Sequence, residues 1–268
     1  MNVKEVVEKV LLLNGGRKFE KTCDQLIEGD WDQEVTGVVT TFMATVDVIQ
    51  RAVDDGYNLI ITHEPTYFTG ADRLEWLESD PVYLQKKALI SDNRISIWRY
   101  HDHMHSGITD LIYAGLLKTL GWEDYLDTNV PLPHCYTIPP MSLTDLVDFF
   151  KNILGLPVVR VVGNTKMECS RIGILVGGGS LGLGVEEMPA KLMNDENLEV
   201  IICGEITEWT LTAYVRDAAA LGFNKAIIIV GHERSEEPGM KDLADRLKAL
   251  LMDIPVCFSD SEEPFIYL

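Results

Sequence analysis

Five of the six histidines in this chain lie at or just beyond the ends of three short apolar runs, where a buried strand would deliver them into a cleft. The run Leu59, Ile60, Ile61, Thr62 leads into His63 and Glu64 and is stopped by Pro65, which cannot donate to a sheet ladder. Side chains diverge at a strand's carboxyl end, so an adjacent His and Glu can each reach a different metal ion. A second apolar run, residues 95–100, leads into His101, Asp102, His103, Met104 and His105. On a continuing strand these three histidines, spaced by two, would share one face. A third run, residues 225–230, empties into His232, with Glu236 four residues on. Glu205 follows a fourth run, residues 198–203, and Glu208 stands three residues later.

Each motif also has a plainer reading. A single histidine commonly caps a turn, and an acid at the start of a helix commonly serves the helix dipole, which is the alternative for Glu205 and Glu208. Three alternating histidines beside a second His/Glu exit are harder to explain that way, because burying so many imidazoles leaves ring nitrogens to be paired. His63, Glu64, His105, His232 and Glu236 together offer imidazole and carboxylate ligands without thiolates. That set suits zinc, manganese, iron or cobalt, and five ligands suit two ions rather than one open catalytic ion.

The elements that must position these residues alternate along the chain. A helix near the N-terminus carries Val3, Val6, Val7 and Val10 at helical spacing, and residues 15–34 read mostly as loop. A strand at 35–41, a helix at 46–55 and a strand at 59–62 make a βαβ unit, which requires a parallel sheet. Residues 74–90 look helical with Pro81 interrupting, and 109–120 form a helix closed by Gly121. The Pro-rich stretch 122–140, with His134 in a structural role, marks a lobe boundary, giving lobes at 1–125 and 126–268. In the second lobe we expect helices at 143–154, 206–221 and 236–251, the last capped by Ser235, and strands at 158–162, 171–176, 198–203, 225–230 and 256–258. The expected fold is α/β, two lobes with mostly parallel sheets around a central metal-binding crevice. One motif competes with the histidines: Gly177, Gly179 and Gly182 satisfy G-x-G-x-x-G. A dinucleotide site needs a long helix opening there, whereas the following segment, 185–193, is short and contains Pro189.

Composition narrows the function classes. The chain has 268 residues, with 42 acidic against 23 basic, a formal charge of −19. Such a field opposes binding to nucleic-acid phosphates or an anionic membrane and favours metal cations. Five scattered cysteines without a C-x-x-C pair suggest neither a disulfide framework nor a thiolate zinc site, and a reducing cytoplasm is the expected location. No signal peptide, lipidation signal or membrane-length apolar run is evident.

The runs TCDQLIEGD, NLIITHEP, HDHMHSGITD, ICGEITEW and GHERSEEPGMKDLADRL, in that order and spacing, resemble the Nif-three-like dinuclear metal centre family, also catalogued as GTP cyclohydrolase type 2 homologues. In that family two adjacent histidines precede the proline, and here they match His63 and Glu64. The next ligand is an aspartate four residues after a histidine, and here those positions hold His105 and His101. One imidazole has become a carboxylate and one carboxylate an imidazole, so the set keeps three histidines and two carboxylates, and His232 and Glu236 match without change. The resemblance implies two divalent ions per chain, a hydrolase acting on a nucleotide or other small molecule, and a hexamer built as a trimer of dimers. In that reading Glu236 bridges the ions, His101 or His103 orients ligands or shuttles a proton, and Glu205 or Glu208 is an alternative base. Two other readings stay open: a non-enzymatic metal-binding or adaptor protein, and a nucleotide-binding protein using residues 177–184.

Overall fold

The computed structural model describes residues 1–17, 19–130 and 133–268. In chain order the elements are α1 (Val3–Leu13), β1 (Leu26–Glu28), β2 (Val38–Thr41), α2 (Val46–Asp54), β3 (Leu59–Thr62), α3 (Pro81–Asp92), β4 (Ser96–Arg99), α4 (Asp102–His105) and α5 (Leu111–Leu120). Then follow β5 (Cys135–Ser142), α6 (Leu143–Ile153), β6 (Arg160–Val162), β7 (Glu168–Leu175), α7 (Met188–Asp195) and β8 (Val200–Cys203). The chain closes with α8 (Leu211–Ala220), β9 (Ala226–Ile229), α9 (His232–Leu250) and β10 (Val256–Phe258). The class is α/β, and the described residues form two five-stranded sheets. The chain divides into two compact units, Met1–Gly115 with Glu237–Glu262, and Leu116–Glu236 with Glu263–Leu268. This division differs from the expected boundary at 125, because β10 pairs in parallel with β2, Val256 opposite Val38, and so returns to the first sheet.

In the first unit the strand order is β1-β4-β3-β2-β10, parallel except for β1 against β4. Every residue of β2, β3 and β4 is buried, as a sheet covered on both faces requires. Val39, Ile60 and Ile97 pack with Val48 and Ile49 of α2 and Tyr83 and Ile90 of α3. Each such side chain contributes roughly 1.5–3 kcal/mol by leaving water. Helix α3 shows how local chemistry decides an end. Pro81 does not interrupt a longer helix but begins one, with the Asp80 carboxylate accepting from the Val82 and Tyr83 amides at 2.9 and 3.0 Å.

The second unit has strand order β5-β7-β8-β9-β6, with β7, β8 and β9 parallel and both edges antiparallel. Its core joins Leu175, Ile201, Cys203, Ile227 and Ile229 of the strands to Leu211 and Val215 of α8. Ser142 caps α6, its Oγ accepting from the Asp145 amide at 3.1 Å.

One sequence expectation fails where it matters most. The segment after β4 does not continue as a strand; residues 102–105 form the single turn α4, so the three histidines do not share one face. The cause lies far away in the chain. The Asp24 carboxylate accepts from the amides of His101, Asp102 and His103 at 2.8, 2.7 and 3.0 Å and takes the His103 ring Nδ1 at 2.7 Å. At the other end of α4, the Asn14 amide donates to the carbonyls of His103 and Met104 at 3.1 and 3.3 Å. Among the described residues no helix is long and apolar enough to cross a membrane.

Two outcomes follow from these buried polar groups. Asp24→Asn replaces an acceptor of several charge-assisted bonds with a group that can offer only one oxygen, so urea denaturation is expected to show a loss of about 1–3 kcal/mol. Lys86 is 5% exposed, donates to the Thr66 carbonyl at 2.7 Å, and is pushed down from 10.5 to about 8 by burial, with nearby Asp72 opposing. Between about pH 8 and 10 the unfolded chain therefore holds the extra proton, and stability rises with pH; below about pH 8 the destabilisation is present in full. Denaturation of Lys86→Met is expected to show a gain of about 1–3 kcal/mol at pH 7 that shrinks toward pH 10.

Candidate metal centre

Register places the first ligand set. β3 and β4 pair with Thr62 opposite Arg99, so the residues just beyond, His63 and Tyr100, emerge side by side. His63 is fully buried, and its Nδ1 lies 3.1 Å from the Tyr100 carbonyl. A carbonyl can only accept, so Nδ1 carries the proton and Nε2 carries a lone pair. Asp110 does the same for His105, its carboxylate standing 2.9 Å from Nδ1. Asp102 does it for His101 at 3.1 Å. All three imidazoles are thus fixed through Nδ1, as orienting partners fix histidine ligands in metal proteins.

Their other ring nitrogens converge. His63 Nε2 and His105 Nε2 are 3.2 Å apart, and His101 Nε2 is 3.7 Å from Glu64 Oε1. The His63 and His101 rings stack at 4.6 Å, and His105 meets both edge-on at 5.0 Å. Two ligands on one ion at about 2.1 Å stand roughly 3–3.5 Å apart, so the donor set fits a first-row divalent ion. Burial, with His63 and His105 close by, pushes the His101 pKa below its ordinary value, keeping the ring neutral and able to ligate.

The other candidates have different surroundings. His103 turns to Asp24 and packs edge-on against Phe19 at 4.5 Å, apart from the three-histidine cluster. Cys23, His101 and Asp102 form a second group of potential ligands. Burial pushes the Cys23 thiol up to about 12, with Arg99 opposing and the hydrogen bond to Asp102 adding to the rise, so it is a protonated thiol and a poor ligand. Burial also works to raise Asp102, but the Cys23 amide, His101, the Thr22 hydroxyl and the Cys23 thiol outweigh it and hold the carboxylate ionised.

The second ligand set lies in the second unit. Helix α9 begins at His232, one turn earlier than the Ser235 cap expected from sequence, and puts His232 and Glu236 on one face. His232 Nε2 is 3.1 Å from Glu236 Oε2, and its Nδ1 is 3.2 Å from Glu205 Oε1. Ser235 Oγ accepts from the Gly177 amide at 2.8 Å and donates to the His232 carbonyl at 2.7 Å. Glu208 is exposed on the turn before α8.

The glycine-rich stretch takes on a different task from the one G-x-G-x-x-G suggested. It folds into a 3-10 turn, Gly179–Leu181, and α7 begins only at Met188. Gly177 has φ +52°, and a Cβ there would stand 2.1 Å from Glu236 Oε1 and 2.7 Å from His232 Nε2. The glycine is needed so that backbone can lie against the His/Glu pair. The same loop holds Glu205, whose amide donates to the Gly177 carbonyl at 2.9 Å and whose carbonyl accepts from the Ser180 hydroxyl.

Sequence reasoning missed Asp24, Asp110 and Arg99. TCD and GITD carry two of them, but an aspartate in a polar stretch has no periodicity to betray it.

The sequence model for Duf34/NIF3 (NGG1p interacting factor 3) matches residues 1–264. A Clostridium perfringens (strain 13 / Type A) protein named GTP cyclohydrolase 1 type 2 homolog is 22% identical over 280 residues, covering 100% of this chain and 98% of its own. A protein of the same name from Clostridium acetobutylicum is 25% identical over 235 residues, covering 84% and 81%. Among solved structures, Staphylococcus aureus protein SA1388 superposes with a TM-score of 0.72 at 21% identity over 100% of this chain and 99% of its own. The Bacillus cereus protein related to NIF3 gives 0.73 at 15% identity, with coverage of 100% and 99%. With its fold shared across that set and the family match spanning nearly its whole length, the chain belongs to the Duf34/NIF3 family.

Proposed function

We propose that the chain is a hydrolase working with two divalent metal ions, zinc, manganese, iron or cobalt, and drawing on His63, Glu64, His105, His232 and Glu236, with His101 as a further ligand. The observation that carries this reading is the convergence of three imidazoles whose Nδ1 atoms are all engaged, leaving the Nε2 lone pairs of His63 and His105 3.2 Å apart. Bound ions would supply an acidified water and charge neutralisation at a substrate oxygen.

The chain's own residues divide the remaining work. Asp110, Asp102 and the Tyr100 carbonyl hold the rings, and Glu205 holds His232 through Nδ1 so that Nε2 is presented beside Glu236. Glu236 is the candidate bridging carboxylate, close-packed by Gly177. His103, tied to Asp24, supports α4 and has Nε2 left to hold a proton or a water. The substrate class is a small molecule with a hydrolysable carbon or phosphorus centre. The relatives' name points to a nucleotide ring, and the formal charge of −19 requires bound cations to offset repulsion of a phosphate. A cytoplasmic assembly of six chains accompanies the reading.

The test is metal content and turnover of full-length protein reconstituted separately with each of the four metals. Wild type is expected to hold about two equivalents per chain. The His63→Ala, His105→Ala variant and the His232→Ala, Glu236→Ala variant are each expected to lose at least one equivalent and all metal-dependent hydrolysis of a nucleotide and small-ester panel. Less than about half an equivalent in reconstituted wild type contradicts the reading.

A further inference from the structure

Arg99 ends β4 and is 4% exposed, although it carries a permanent charge. A guanidinium at such depth is tolerated only where its donors are taken up. Nε donates to the His63 carbonyl at 3.4 Å and Nη1 to the Gly70 carbonyl at 2.6 Å. Nη1 also stands 4.0 Å from Asp72 Oδ2, and Nη2 stands 3.8 Å from Glu64 Oε2. The other oxygen of Glu64, Oε1, is the one 3.7 Å from His101 Nε2. The carboxylate is therefore divided, with one oxygen toward the guanidinium and the other toward the imidazole cluster.

We propose that Arg99 is a positioning residue that fixes Glu64 as a one-oxygen ligand to the ion held by the three histidines; the inference rests on the metal-centre reading above. A glutamate at this exit has three side-chain torsions and could chelate an ion with both oxygens or turn to water. The ion pair of Oε2 with the guanidinium opposes both choices. The planar group matters here, since Nε and Nη1 are held by the His63 and Gly70 carbonyls and the plane they fix leaves Nη2 facing Glu64 Oε2 at 3.8 Å. Arg99 also offsets the charge that Glu64 brings to the imidazole set, so the ion is left more acidic than a free carboxylate would make it.

The test is a Co(II) titration of full-length metal-free wild type, Arg99→Lys, Glu64→Gln and the double variant, read by affinity and by the visible Co(II) spectrum. Arg99→Lys is expected to weaken binding about tenfold or more and to change the spectrum, and to do neither in the Glu64→Gln background. An equal loss in both backgrounds, or no change in either readout, overturns the proposal while leaving the metal centre standing. If Arg99→Lys does not fold, the Co(II)-loaded crystal structure of wild type decides. One Glu64 oxygen on cobalt with the other on Arg99 supports the proposal; both oxygens on cobalt, or neither, overturns it. A wild type whose titration is indistinguishable from His63→Ala removes the metal centre itself, and this inference with it.

Discussion

Two imidazole nitrogens that both carry lone pairs repel each other, and this chain holds His63 Nε2 and His105 Nε2 3.2 Å apart. Each ring has an acceptor beside its Nδ1, the Tyr100 carbonyl or the Asp110 carboxylate, which favours that tautomer. The contact calls for a cation, a proton or a metal ion, between or beside the two nitrogens. Much of the first unit can be understood as the means of holding that arrangement. The in-register parallel pairing of β3 and β4 sets His63 beside Tyr100, and Asp24 turns the chain into α4 so that His105 faces back.

The electrostatics follow from the same requirement. The chain is strongly acidic, yet beside this cluster it buries Arg99, whose donors go to the His63 and Gly70 carbonyls and whose charge faces Glu64 and Asp72. Burying a guanidinium there costs desolvation and returns little stability unless it organises something. Here it holds the loop after His63 through the His63 and Gly70 carbonyls and faces the Glu64 carboxylate. In the second unit the method is simpler: an i, i+4 His/Glu pair opens a helix, and glycine backbone at 177 and 204 lets the neighbouring strand exits approach closely.

Much of this was legible in the sequence. Short, largely apolar runs followed by Pro65 or Gly204 identified buried parallel strands, and the candidate ligands were placed where such strands end. His232 and Glu236 were singled out, but as a strand exit and the first turn of a helix capped by Ser235, whereas one helix beginning at His232 carries both. The HDHMH stretch was not read as helix, since a period of two fits a strand and one turn of helix leaves no periodic trace. Its shape is decided by Asp24, some 77 residues earlier in the chain, through backbone amides that no side-chain pattern records. The unit boundary was hidden for a similar reason, because the pairing of β10 with β2 joins the two ends of the sequence. Glu64 in place of a second histidine was visible; the buried arginine that faces it was not, because Arg99 sits in a run that otherwise reads as apolar strand.

The most direct test is anomalous diffraction from crystals of the chain reconstituted with zinc or manganese. The account predicts one ion about 2.0–2.2 Å from the Nε2 atoms of His63, His101 and His105, and a second beside His232 and Glu236. Anomalous peaks elsewhere, or His63 and His105 rings turned so that Nδ1 rather than Nε2 faces the cluster, would contradict it.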